Sequence, residues 1–300
     1  MSRITAKRTI RTSFFVDLLD IGLNTTIMIL TGSVVLLAEA LEGASDLVAS
    51  ALLWIGLKAS KKRADKDRPF GHGKALFSWT LISALVMLIF GGGLSLYFGI
   101  DRLLHPEEIQ KIWLAYGALL ISICSNGYAL SVSMRRLLNG QPLGQLKQLL
   151  ISSTNLETKN TFILDLTGTG AAVMGMISLL LYQFAGIIHF DGIGSILMGL
   201  IIIFSSVILI WGIKDYLAGK PASPEILKQI KDVVLAENTI SKITELKTMY
   251  IGSEKLLLQL DIRLSQNISV QDSEILINDL KGKIMKAVPF VSIIQVEVQT

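Results

Sequence analysis

The 300-residue chain is 51% hydrophobic and 17% charged, with a net charge of +4. Its mean hydropathy of +0.56 is too high for an ordinary soluble domain and places the chain in a membrane. The cations cluster between apolar blocks, as in membrane-flanking loops and unlike a nucleic-acid-binding face, and a single cysteine, Cys124, excludes an intrachain disulfide or a cysteine metal cluster.

The start, MSRITAKRTIRTS, is basic and has no small-residue cleavage site, so the first apolar block is expected to be a retained helix. Apolar blocks near 12–32, 34–58, 77–101, 112–135, 159–183 and 191–214 each approach the roughly 20 residues that a bilayer requires. Basic residues concentrate in 1–11, 58–68 and 134–159, whereas the 102–111 connector is balanced in sign and 184–190 carries no Lys or Arg. That asymmetry puts both termini in the cytoplasm. With no Ser/Arg-rich leader ahead of the first span, the expected membrane is a bacterial inner membrane.

After Lys214 the texture changes. KPASP at 220–224 breaks the apolar run, and SPEILKQIKDVVLAEN reads as a helix capped by Ser223 with Pro224 in its first turn. ITELKTMYI and KLLLQLDIRLS alternate as strands around Gly252, VQDSEILINDLKGKIMKAV reads as a helix, and VSIIQVEVQ as a last strand. The expected architecture is six transmembrane helices over residues 1–219, followed by a small α+β domain over 220–300. The order αββαβ makes that domain a ferredoxin-like sandwich without histidine, suited to regulation or dimerisation.

The second span holds the main chemical signal, LLAEALEGASDLVAS at residues 36–50. Glu42 and Asp46 are four apart and share a helical face. Glu39 lies one turn nearer the outer end, where an acid is expected to reach towards headgroups. A charge at bilayer centre costs at least about 2.5–3.5 kcal/mol, so acids there face a partner or a wet cavity. No Lys or Arg occurs between Arg11 and Lys58 or between Lys159 and Lys214, which favours a bound cation over an internal salt bridge.

The fifth span supplies a complement. Glu157, Thr161 and Asp165 recur every four residues, and the small residues Gly168, Gly170, Ala171 and Ala172 follow. Small residues let membrane helices approach closely, which would bring Asp165 against Glu42 and Asp46. Three carboxylates and a hydroxyl are hard donors suited to a divalent cation. In the first span Asp17 is expected at the interface, and Asp20 and Asn24 line an inner vestibule as pathway groups, with Glu157 on the same route. Asn126 fits an interhelical hydrogen bond or a pathway group equally, and Asp191 is expected to cap its own helix. His105 and His189 read as surface and interfacial residues.

TGSVVLLAEALEGASDLVAS, RPFGHGKA at 68–75, GIDRLLHPEEI at 99–109 and the six-span plan with its αββαβ tail together resemble the cation diffusion facilitator, or cation efflux, family. The resemblance covers nearly the whole chain. It implies a homodimeric exporter of Zn²⁺ or related divalent cations against protons, with a site of two residues from the second span and two from the fifth. Glu42 and Asp46 match the first pair and Asp165 the fifth-span aspartate. Thr161 stands where the family usually has histidine or aspartate, and Glu42 where it has His, Asp or Asn. In this the chain looks closer to the divergent branch that includes the mitochondrial zinc transporter type nine. With no imidazole in the set, Mn²⁺, Fe²⁺ and Co²⁺ stand beside Zn²⁺ as candidates. A second family site in the loop after span two is matched by Asp65 and His72, with Arg68 in the place of its other histidine. A cation at that place opposes metal binding, so the favoured reading is that His72 and Lys74 fix the loop, with a secondary metal site at Asp65 and His72 as the alternative.

The resemblance and the acids together imply a secondary transporter and not an enzyme. No cofactor is expected beyond the transported divalent cation; protons, the lipid bilayer and a second copy of the chain are its partners, and nucleic acid is not one. The competing expectation is a non-transporting membrane regulator or assembly subunit whose altered site only binds, for which Thr161 and the missing second-site histidine speak. An intramembrane aspartyl enzyme would need two aspartates poised on a scissile bond, and nothing else in the sequence marks a peptide groove.

Overall fold

The structure, a computed structural model, describes residues 6–146, 149–150, 156–265 and 269–299, with side chains described from Leu18 in the first helix and from Thr158 in the fifth. Among the described residues six long helices come first: α1 Ala6–Thr31, α2 Val34–Ser60, α3 Ala75–Leu104, α4 Ile112–Leu138, α5 Leu156–Ala185 and α6 Phe190–Ala218. The last five are long and apolar enough to cross a bilayer, and α1 is apolar over Leu18–Thr31. Then follow α7 Pro224–Leu235, β1 Ile240–Gly252, β2 Lys255–Leu264, α8 Val270–Ala287 and β3 Val291–Gln299. The αββαβ order is the one expected. By its contacts the chain divides into two compact units, residues 1–55 with 79–212 and residues 56–78 with 213–300.

In the first unit, α2 is the central helix. Val35, Leu36 and Ala38 are fully buried among Ala115, Ala118 and Leu119 of α4, Ala171 and Leu179 of α5, and Met198 of α6. Glycine brings α3 and α6 backbone to backbone: a methyl group on Gly99 would stand 2.9 Å from the Gly192 carbonyl oxygen, and one on Gly199 2.9 Å from that of Gly92. Gly92 belongs to a π-helical segment of α3, Met87–Gly93. Large apolar side chains such as Leu19, Ile89, Phe204 and Trp211 point outward, as an apolar solvent allows.

The start of α2 is fixed from across the bundle. Asp191 does not spend its carboxylate on its own helix: Oδ1 accepts from the Ser33 hydroxyl at 2.7 Å and the Val35 amide at 3.1 Å, and Oδ2 from the Val34 amide at 3.0 Å. The first amides of α2 follow the tight turn at Gly32 (φ 72°), lack intrahelical acceptors, and present a positive dipole end to the acid. Arg102 completes the arrangement, with Nε 3.4 Å from Asp191, a second nitrogen 2.7 Å from Glu107 and a third on the Gly32 carbonyl.

In the second unit β2 is central, antiparallel to β1 and parallel to β3. Leu256, Leu258, Leu260 and Ile262 of β2, with Ile230 of α7 and Leu280 and Ile284 of α8, are fully buried. Ser223 and Ser269 cap α7 and α8. The 56–78 segment belongs to this unit: Gly73 lies so close to the β1–β2 turn that a methyl group on it would stand 2.9 Å from Gly252 Cα and closer still to the Ile251 carbonyl. Phe77, Tyr216 and Tyr250 stack in series, with ring centroids 5.2 and 5.5 Å apart.

Candidate cation pathway

The α2 acids descend one face of the central helix. Glu42 is buried and Asp46 half-buried, and Glu42 Oε1 and Asp46 Oδ1 are both sealed from solvent. Glu42 reaches α5 at Gly168, where a methyl group would lie 2.8 Å from Glu42 Oε1 and 3.3 Å from Asn126 Nδ2. Only a glycine there leaves room for the carboxylate and the amide together. Asn126 of α4 therefore stands beside Glu42 and against the α5 backbone at Gly168.

Asp165 is half-buried one turn before Gly168. The groups that bear on it are Ser133 and Arg136 of α4. Thr161 is half-buried a further turn along. Among the described residues no three His, Cys, Asp or Glu side chains surround one metal-sized point, so Glu42, Asp46 and Asp165 line the same helices without closing on a common centre. The side chains of Asp17 and Glu157 lie outside the described residues.

Asp20 and Asn24 are tied to α4 through Ser122. Asn24 Nδ2 donates to Asp20 Oδ2 at 3.1 Å and to Ser122 Oγ at 3.0 Å, and Ser122 Oγ donates to Asp20 Oδ1 at 3.0 Å. Glu39 overturns its expectation as an interfacial acid. It is 1% exposed, and the groups that bear on it are Asp20, Ser122 and Asp46. The reason is the packing of α1 and α4 against this face of α2, which sets Asp20 and Ser122 beside Glu39. Ser122 was not singled out in the sequence, although it stands four residues before Asn126 on one face of α4, a spacing that marks a polar stripe.

In the loop of the second unit, His72 Nε2 and Asp65 Oδ2 are 2.7 Å apart, and the Arg68 amide donates to Asp65 Oδ1 at 2.8 Å. The His72 hydrogen bond first, and the Arg68 amide second, hold the Asp65 carboxyl below the usual aspartate range. Lys74 lies 4.0 Å from the Met249 sulfur.

Residues 10–217 match the cation efflux transmembrane domain, and residues 222–299 the cytoplasmic domain of cation efflux proteins. The chain belongs to the cation efflux family. Among its relatives, the mitochondrial proton-coupled zinc antiporter SLC30A9 of Xenopus laevis is 25% identical over 259 residues, covering 84% of this chain and 46% of that protein. The human SLC30A9 is 28% identical over 233 residues, covering 76% and 40%. The manganese efflux system protein MneP of Bacillus subtilis is 24% identical over 258 residues, covering 83% and 80%. This member of the family thus spans less than half the length of the SLC30A9 proteins and most of the length of MneP.

Proposed function

We propose that this chain is a secondary transporter that moves divalent metal cations out of the cytoplasm in exchange for protons. The observation that carries it is Glu42, a buried acid at the centre of the bundle, set against α5 at Gly168 with Asn126 alongside. Asp46 continues the same face of α2, and Asp165 continues α5 by one turn. A cation entering from the cytoplasm is bound by Glu42, Asp46 and Asp165, with Thr161 or water as the fourth donor, and a rocking of helices then opens the site outward. Metal ligation requires deprotonated ligands, so the acids that release the cation take up protons in its place. An oxygen-only set admits Mn²⁺, Fe²⁺, Co²⁺ and Zn²⁺, and relatives are named for both zinc and manganese. Residues 220–300 pair two copies of the chain, and Asp65 and His72, held to each other and to the Arg68 amide, fix the 56–78 loop.

The non-transporting regulator is favoured by one observation: the three acids do not close on one point among the described residues. Flux through the purified chain in proteoliposomes, measured across Mn²⁺, Fe²⁺, Co²⁺ and Zn²⁺, separates the two. A transporter carries at least one of them down its gradient, whereas a regulator binds without flux.

A further inference from the structure

A second group of oxygen donors lies one helical turn from Glu42 towards the start of α2, and its hydrogen bonding is incomplete. Asn24, 0% exposed, gives its amide hydrogens to Asp20 and Ser122, and its carbonyl oxygen Oδ1 is left without a hydrogen-bond partner. Ser122 has one hydroxyl proton, and it goes to Asp20. Glu39 stands beside Ser122, yet both its carboxylate oxygens are buried without a hydrogen bond of good geometry. The charges that bear on Glu39, Asp20 and Asp46, have its own sign.

Among the described residues no Lys or Arg pairs with Glu39 or Asp20, and Arg102, near the start of α2, is taken up by Asp191 and Glu107. Neither α1 nor α2 carries Lys or Arg between Arg11 and Lys58. The nearest to Ser122 along α4 are Lys111, just before the helix, and Arg135, each about three turns or more away. Buried carboxyl groups stay ionised in proteins when they are paired or coordinate a metal, and otherwise take up a proton. Asp20, Glu39, the Asn24 carbonyl and the Ser122 hydroxyl present only hard oxygens, the donor set of Mn²⁺, Mg²⁺ or Ca²⁺.

From this geometry we propose that Glu39, Asp20, Asn24 and Ser122 form a second divalent-cation station inside the membrane, separate from Glu42, Asp46 and Asp165. It rests on the reading of this chain as a metal transporter, and it gives that transporter a site selective for oxygen-seeking cations on the side of the α2 N-terminus. Glu39, Glu42 and Asp46 then form successive steps along one face of α2.

The test is Mn²⁺ binding to the full-length protein in nanodiscs, counted by electron paramagnetic resonance. Removal of the first site by Asp46→Ala with Asp165→Ala leaves one bound Mn²⁺ within the membrane unit, and addition of Glu39→Gln abolishes it. Asn24→Ala and Ser122→Ala, which keep both carboxylates, weaken that residual site by at least about tenfold. Retention of the residual Mn²⁺ in Glu39→Gln, or its loss already in the Asp46/Asp165 double variant, overturns the second station. In the latter case wild-type binding still supports the first site, so the two failures are distinguishable. If Glu39→Gln fails to fold, Asp20→Asn and Asn24→Ala carry the same count, and an unchanged count in both overturns the proposal.

Discussion

Glu42 Oε1 rests over the α carbon of Gly168, so that a methyl group on that glycine would lie 2.8 Å away. The atom it would meet is the end of a flexible side chain, so Gly168→Ala moves Glu42 and leaves the helices in place. Alanine also favours the helix by up to about 1 kcal/mol over glycine. Gly168→Ala is expected to keep its thermal stability within about 1 kcal/mol of wild type and to lose about tenfold in metal affinity. Calorimetry of both folding and binding checks it, and a loss of stability with intact affinity would place Glu42 outside the site.

The cap on α2 is a stronger structural bond. Asp191 serves the Ser33 hydroxyl, two amides and Arg102, so Asp191→Ala leaves two buried helix-end amides without their acceptor and the Arg102 guanidinium with Glu107 as its remaining acid. Breaking a buried pair from one side costs about 3–5 kcal/mol. Thermal unfolding in detergent should show that loss, and Arg102→Met together with Asp191→Ala should recover part of it. A double variant no more stable than the single one contradicts the pairing.

The chain order and both kinds of element are legible in the sequence. Twenty-residue apolar runs have one stable form in a bilayer, and alternation around Gly252 with Ser223 and Pro224 ahead of α7 specifies the αββαβ order. The sites were legible only along single helices. Spacing places Glu42 with Asp46 and Asp20 with Asn24, but it does not say which helix each face meets. Asp191 caps a helix 156 residues earlier in sequence, and Glu39 is buried where α1 and α4 bring Asp20 and Ser122 against it. Ser122 acquires meaning only when α1 and α4 are side by side. Gly73 appears in the sequence as part of FGHGK, and its closeness to Gly252 belongs to the folded second unit.

That closeness predicts a backbone conflict. A methyl group on Gly73 would meet the Ile251 carbonyl and Gly252 Cα, both main chain, so nothing can swing aside. Gly73→Ala is expected to cost about 1–3 kcal/mol and to speed hydrogen exchange in both the loop and the β1–β2 turn. Unchanged exchange at Ile251 would show that the loop does not depend on the contact.

Asp65 gives the loop a pH dependence of known sign. His72 and the Arg68 amide favour its ionised form and hold its folded pKa below the unfolded one. The contribution to loop order is fully present above about pH 4 and disappears as the pH falls through the lower, folded value. Exchange protection of the 65–73 amides should drop on that acid side, and Asp65→Asn should remove the drop. Protection that rises on acidification contradicts the assignment.

The central claim is that Glu42, Asp46 and Asp165 carry a divalent cation in exchange for protons. The most direct measurement is simultaneous Mn²⁺ or Zn²⁺ uptake and proton movement in proteoliposomes containing wild type, Asp46→Ala or Asp165→Ala, each verified as folded by its elution and thermal unfolding. Wild type should move metal one way and protons the other, and both variants should move neither. Metal-linked proton flux retained by both variants would contradict the account.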